Sequence, residues 1–156
     1  MKIRLSTLAL AAATLTLGAA LPAAAQDADS AVEARQSAMT LMAFNIGPLV
    51  GMARGDIEYD AELAQAAADS LVHVSMIDHG RFWVEGTHIE NRDDTEALPA
   101  IWEDPEDFAS KLADLRDAAG AMQEVAGDGL AALQGELRNL GGSCGACHDN
   151  YRVSDD

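Results

Sequence analysis

Apolar side chains recur at intervals of three or four residues along four stretches of the chain. This spacing places them on one face of an α-helix, because a helix turns once every 3.6 residues. No stretch shows the strict apolar–polar alternation that is typical of a half-buried strand. The pattern predicts an all-α protein. The inward positions are Val32, Gln36, Met39, Met42 or Ala43, Ile46 and Val50, then Leu63, Ala67, Leu71 and Val74, then Phe108, Leu112, Leu115, Ala119 and Met122, and finally Leu130, Leu133, Leu137, Leu140, Cys144, Cys147 and Tyr151.

Polar residues and breakers indicate where these helices begin and end. Ser30 and Glu33 have the spacing of a capping box, which predicts that the first helix begins at Ser30 and ends near Gly55. Pro48 lies inside this pattern and predicts a kink, or a division near Ile46. The other starts are predicted at Asp60, at Asp104 with Pro105 as the first helical residue, and at Asp128, and the second helix is expected to reach about Gly80.

The lengths of the connections predict how the helices are arranged. Those at 56–59 and 124–127 are short and favour antiparallel neighbours, whereas a long connection, roughly 81–103, joins the second and third helices. Four amphipathic helices joined in this way predict an antiparallel up-down-up-down four-helix bundle. Aromatic residues make up only 4% of the chain, and alanine is abundant. Such a bundle has room for a large group inside it.

The first 25 residues have the parts of a secretory signal peptide. Lys2 and Arg4 form a positive start, residues 5–21 are apolar, and three alanines at 23–25 supply a cleavage site. Cleavage after Ala25 is predicted, which leaves 26–156 as a single exported, periplasmic domain. A retained membrane anchor is the alternative, although the apolar run is at the short limit for a membrane span.

The charge of the chain restricts its partners. Loss of Lys2 and Arg4 reduces the 10 basic residues to 8, against 26 acidic ones, so the mature chain carries a formal charge of −18. A negative field of this strength repels nucleic acid and anionic lipid, and it steers basic partners towards the protein. We therefore expect no nucleic-acid partner and no membrane association after signal cleavage.

The chain has only two cysteines, Cys144 and Cys147, and His148 follows the second directly. A disulfide between them would close too short a loop to constrain the unfolded chain. A thioredoxin-like redox pair would sit at the start of a helix that follows a strand. A zinc site would need a fourth ligand, for which the candidates are His73, His79 and His88.

Covalent haem attachment is the standard assignment of Cys-x-x-Cys-His, and it explains the spacing. Thiols at Cys144 and Cys147 lie on the same side of a helix, within reach of the two vinyl groups of one porphyrin edge. His148 can then bind the iron from the proximal side. The signal peptide independently supplies the exported setting that attachment requires. The motif predicts one covalent haem c per chain.

Three segments of the chain resemble cytochrome c' and the related class II c-type cytochromes. They are ARQSAMTLM at 34–42, PAIWEDPEDF at 99–108 and GGSCGACHDNYR at 141–152. The resemblance covers nearly the whole mature chain, and the position of the haem motif near the C-terminus points to class II. It implies that Arg35 and Gln36 contact a haem propionate, that Met39 lies at the distal, sixth site of the iron, and that Arg152 lies beside the proximal imidazole. It also implies a homodimer formed through the first two helices.

The sequence leaves two functions open, which differ in whether Met39 binds the iron. If its side chain only packs, the iron is five-coordinate and the pocket admits a diatomic gas such as nitric oxide. If its thioether binds the iron, the protein is a six-coordinate, low-spin electron carrier with a raised reduction potential. We favour the first: a cytochrome c'-type protein that binds a gas or passes single electrons to a partner with a basic docking surface.

Other residues suggest no further chemistry. No nucleophile–base pair and no pair of catalytic acids is legible in the sequence, so we do not expect an enzyme. His73, His79 and His88 are expected to be exposed or capping residues. The alternative of another class is a thiol-redox or metal-binding helical protein without haem.

Overall fold

Helices dominate the computed structural model, which describes residues 23–154. The helices are α1 (Ala23–Arg54), α2 (Ala61–Ser75), the short α3 (Ala100–Glu103), α4 (Pro105–Val125) and α5 (Leu130–Tyr151). Over the described range, β-structure is limited to one isolated antiparallel bridge between Ala97 and Arg152. The predicted all-α fold is confirmed.

The four long helices form an antiparallel bundle in which each helix packs against two others. Helix α1 contacts α2 and α5, and α4 contacts the same two helices. Many of the side chains at the centre are alanines, which lets the helix backbones approach closely. The buried core consists of Met42, Leu49 and Met52 from α1, Ala64, Ala67, Ala68 and Leu71 from α2, Ala118, Ala119 and Met122 from α4, Ala126 just after it, and Leu133 and Leu140 from α5.

Two predicted helix starts are confirmed by their caps. The carboxylate of Asp60 accepts a hydrogen bond of 3.0 Å from the backbone N–H of Leu63. Asp104 does the same for Asp107 at 3.1 Å, and Pro105 is the first residue of α4. Each cap satisfies a backbone donor that has no partner within the first helical turn.

The predicted start of the first helix is wrong. Helix α1 begins at Ala23, and Ser30 lies inside it rather than at its cap. Three consecutive alanines precede the capping-box residues, and alanine has the highest helix propensity of any residue. Pro48 does not divide the helix, which continues to Arg54 and ends before Gly55 at a positive φ of 78°.

Two other predicted boundaries are also wrong. Helix α2 ends at Ser75 instead of near Gly80, and the chain then makes a separate 3-10 turn, His79–Arg81. Helix α5 begins at Leu130 rather than Asp128, because Gly129 takes a φ of 124° that an L-residue rarely adopts.

The predicted signal peptide falls almost entirely on residues 1–22, which lie outside the described part of the chain, and it stays a prediction. No helix within residues 23–154 combines the length and the apolar character needed to cross a bilayer.

Candidate functional site

A cavity of about 580 Å³ opens between α1, the long connection, α4 and the end of α5. Its size is in the range of pockets that hold organic ligands. Six of the seven predicted site residues line it, although they come from distant parts of the sequence. These are Arg35, Gln36, Met39, Cys147, His148 and Arg152.

The seventh predicted residue, Cys144, lies one turn before Cys147 on α5 and is half-buried without lining the cavity. Both cysteines are free thiols. Burial raises the pKa of Cys144, and burial together with the neighbouring Cys144 raises the pKa of Cys147 to about 11. Both thiols are therefore protonated at neutral pH, unlike the reactive thiolate of a thioredoxin-like pair.

The location of the cysteines also argues against a thioredoxin-like redox pair and against a zinc site. The pair lies in the last turns of α5 with no strand before it, whereas a redox pair lies at the start of a helix. Among residues 23–154, no three His, Cys, Asp or Glu side chains gather closely enough to hold a metal ion. Neither a thioredoxin-like site nor a zinc site fits this arrangement.

Tyr151 fixes the end of α5 against the start of α4. The side chain is buried, and its hydroxyl donates a 2.7 Å hydrogen bond to Asp107, which also pairs with Lys111 at 3.2 Å. Burial, followed by the hydrogen bond to Asp107, raises the pKa of Tyr151 to about 12, and the same bond holds the pKa of Asp107 below its usual value. The ring of Phe108 meets the ring of Tyr151 edge-on at 5.1 Å. Sequence reasoning missed this pair, which sets the position of the helical turn bearing His148.

Arg35 is only 3% exposed and holds the long connection against α1. Its Nη1 donates to the hydroxyl of Thr87 at 2.8 Å, and its Nη2 donates to the carbonyl of Thr87 at 2.6 Å and to the hydroxyl of Thr95 at 2.5 Å. The guanidinium also stands 5.1 Å from the centre of the Trp83 ring. Burial lowers the pKa of Arg35. The residue borders the cavity as predicted, and it also fastens the cavity wall.

Gln36 continues this attachment, since its Nε2 donates to the carbonyl of Asp94 at 2.6 Å. Both Arg35 and Gln36 therefore have partners in the connection, and their contact with a haem propionate stays a prediction. Met39 is partly buried, packs against the main core and lines the cavity one turn after Arg35.

The residue after α5 closes the other side of the cavity. The backbone N–H of Arg152 donates to the carbonyl of His148 at 3.1 Å, and its guanidinium pairs with Glu96 at 3.6 Å. Leu98 donates its N–H to the carbonyl of Tyr151, and Val153 donates to the carbonyl of Glu96. The tail and the long connection are thus joined beside His148.

The three remaining histidines are not among the residues that line this cavity. His73 is exposed on α2, and His88 lies 5.7 Å from the ring of Trp102. The expectation of an exposed or capping residue is wrong for His79, which is 3% exposed. The 3-10 turn that follows α2 folds this side chain back onto the bundle.

The donor set fits a covalently bound porphyrin. Two neutral thiols stand one turn apart, and the imidazole next to the second lines a cavity walled by Trp83, Ile101 and Phe108. Basic side chains at Arg35 and Arg152 border the same cavity, where the carboxylates of a porphyrin need partners.

Comparison with known proteins agrees with this geometry. The family model for Cytochrome C' matches residues 30–152. Cytochrome c-554 of Cereibacter sphaeroides is 45% identical over 139 residues, which cover 87% of this chain and 91% of that protein.

Two solved structures extend the similarity to the fold. Cytochrome c' from Rhodobacter Spheriodes superimposes with a TM-score of 0.79 at 36% identity, covering 81% of this chain and 98% of that one. A nitric oxide complex of a leucine-to-isoleucine mutant of cytochrome c prime from Alcaligenes xylosoxidans gives a TM-score of 0.70 at 32% identity, covering 81% and 97%.

Proposed function

This chain belongs to the cytochrome c' family and carries covalently bound haem c, and from that premise we propose that it is a periplasmic protein that binds a diatomic gas or passes single electrons at the haem iron. Cys144 and Cys147 would hold the porphyrin as thioethers, and His148 would bind the iron. The haem supplies an iron centre with two accessible oxidation states and, where the sixth site is open, a place for a gas.

The position of Met39 is the observation that carries this proposal. Its side chain packs against the main core of the bundle while it borders the cavity. A methionine engaged in such packing fills irregular space beside flat groups, which favours an iron without a sixth protein ligand. The nitric oxide complex of the relative from Alcaligenes xylosoxidans supports a gas as the ligand.

Substitution of Met39 tests this directly. Met39→Leu keeps the side-chain volume and costs less than about 1.5 kcal/mol of stability, while it removes the thioether. We expect the ferric absorption and electron paramagnetic spectra of the variant to stay high-spin, as in the wild type, and both proteins to bind carbon monoxide in the ferrous state.

The opposite result would identify the six-coordinate electron carrier. In that case the wild type is low-spin with a methionine–iron charge-transfer band, and Met39→Leu loses both features. Met42→Leu is the matched control, because Met42 is buried on the same helix without lining the cavity.

We also propose that two copies of this chain associate through α1. Residues 36–53 contain no Asp, Glu, Lys or Arg in a chain with 26 acidic residues. Leu41 and Phe44 lie on the exposed side of this segment, 49% and 74% exposed. The two copies repel each other elsewhere, but here they can meet without placing like charges against each other. A symmetric dimer would bury the patch of both copies.

A single charge in this patch should dissociate the dimer. Phe44→Glu places a carboxylate in both halves of a symmetric interface, so we expect dimerisation to weaken about a hundredfold or more. Sedimentation velocity of the haem-loaded protein measures the change. Leu130→Glu, at an exposed apolar position on α5, is the control and should leave the dimer intact. A monomeric wild type, or equal effects of the two variants, would contradict the proposal.

A further inference from the structure

His79 is a buried titratable side chain that the haem site does not use. It is the first residue of the 3-10 turn His79–Arg81 and is 3% exposed. Within residues 23–154, neither of its ring nitrogens makes a hydrogen bond of good geometry, although the backbone of Val74 at the end of α2 lies close enough to interact with the ring. Burying polar atoms without partners opposes folding, so the turn is held in place by its packing.

The surroundings of His79 are unsuited to a positive charge. Arg116 of α4 reaches the same end of α2, where its Nε donates to the carbonyl of the buried Ser75 at 2.9 Å. Asp78 is an acidic residue beside the ring, and its carboxylate accepts from the N–H of Gly80 at 3.0 Å as the cap of the turn. A charged imidazole would be desolvated here and would face an existing cation.

The turn is linked to the wall of the haem cavity. The ring of Phe82 meets the ring of His79 edge-on, with centroids 5.2 Å apart. The carbonyl of Phe82 accepts from Arg35 at 3.4 Å, and Trp83 lines the cavity. The carbonyl of Trp83 accepts from the indole of Trp102 at 3.1 Å. Any movement of the turn is therefore passed on to Trp83 through the chain itself.

We propose that His79 is an acid-sensitive latch: protonation of its buried ring drives the turn His79–Arg81 out of the bundle, and Trp83 moves with it away from the cavity. This inference goes beyond the proposed function, because it holds whether the iron binds a gas or only passes electrons.

The direction of the pH dependence follows from the environment of the ring. Burial is the largest influence on His79 and lowers its pKa, and Arg116 acts in the same direction, whereas the interaction with the backbone of Val74 and the charge of Asp78 act in the opposite sense. The closed form thus binds fewer protons than the open form, and acid favours opening. The latch is fully stable above the ordinary histidine pKa of about 6.5, and its stability is lost as the pH falls from there towards the lowered pKa.

Hydrogen exchange of the haem-loaded protein tests the latch. After correction for intrinsic rates, we expect amide protection in residues 79–88 to fall by up to about tenfold per pH unit below about pH 6.5. His79→Leu removes the proton site and should keep its protection in acid. His73→Gln, at an exposed histidine on α2, should behave like the wild type.

Two outcomes would overturn the proposal. One is a wild type whose protection in residues 79–88 does not change with pH, and the other is a loss of protection in His79→Leu equal to that in the wild type. If His79→Leu does not fold, proton NMR of the wild-type ferrous–carbon monoxide form decides. A His79 ring that titrates at or above the ordinary value, with the 79–88 amides still protected, excludes the latch.

Discussion

Replacing both Cys144 and Cys147 with serine is expected to abolish covalent haem attachment. The serine hydroxyls cannot form the thioethers, so acidified organic solvent should extract any remaining pigment. The mass of the polypeptide should then equal that of the processed chain. The wild type, made with haem-attachment machinery, should keep its pigment through the same extraction and should be heavier by one haem.

The matched control for this experiment is Ala146→Ser, which alters the same turn of α5 without touching either thiol. We expect it to retain covalent haem. Pigment that survives extraction in the double serine variant, or a colourless wild type, would show that these sulfurs do not hold the cofactor.

The double serine variant should also be markedly less stable than the wild type. A ligand that binds only the folded chain stabilises it, and the cavity proposed to hold the haem measures about 580 Å³. An apolar cavity left unfilled costs packing interactions along its whole lining. We therefore expect the apoprotein to unfold at a clearly lower urea concentration than the haem-loaded protein.

The second large effect is expected at Arg35. Arg35→Met keeps the length of the side chain but removes the donors to Thr87, to Thr95 and to the carbonyl of Phe82. Hydrogen bonds from a charged group contribute about 1.5–3 kcal/mol each, and acceptors left buried add to the loss. We expect the free energy of unfolding of the haem-loaded protein to fall by about 3 kcal/mol or more. Urea denaturation measures this.

Arg92→Met is a suitable control, because Arg92 also attaches the connection to α1, through an ion pair with Asp29, and it pairs with Asp94 within the connection. These pairs lie at the surface, where such interactions contribute about 0–1 kcal/mol. A loss at Arg35 no larger than the loss at Arg92 would contradict the role of Arg35 as the fastening of the cavity wall.

The features that were predicted correctly are those whose cause is local in the sequence. Asp60 and Asp104 cap their helices through bonds to residues three positions away, so the signal and its effect occupy the same few letters. The Cys-x-x-Cys-His motif, which predicted the covalent haem c, is likewise complete within five consecutive residues. The predicted start of α1 was wrong because two local signals competed, the capping box at Ser30 and the helix-favouring alanines before it. The alanines extended the helix beyond the capping box towards the N-terminus.

The features that were missed depend on contacts between distant segments. The hydroxyls of Thr87 and Thr95 meet Arg35 across 52 and 60 residues of chain, and no spacing rule pairs them. Tyr151 and Asp107 meet across 44 residues. His79 appeared to be a surface residue because the turn after α2 has no apolar periodicity. Its burial arises only when the turn packs on the bundle.

The pairing of the tail with the long connection has a mechanical consequence. Hydrogen bonds from Leu98 to Tyr151 and from Val153 to Glu96 flank the bridge between Ala97 and Arg152. A force applied to the C-terminus would load these hydrogen bonds in shear before it could unwind α5. The helical turn that carries His148 is therefore shielded from strain arriving through the tail.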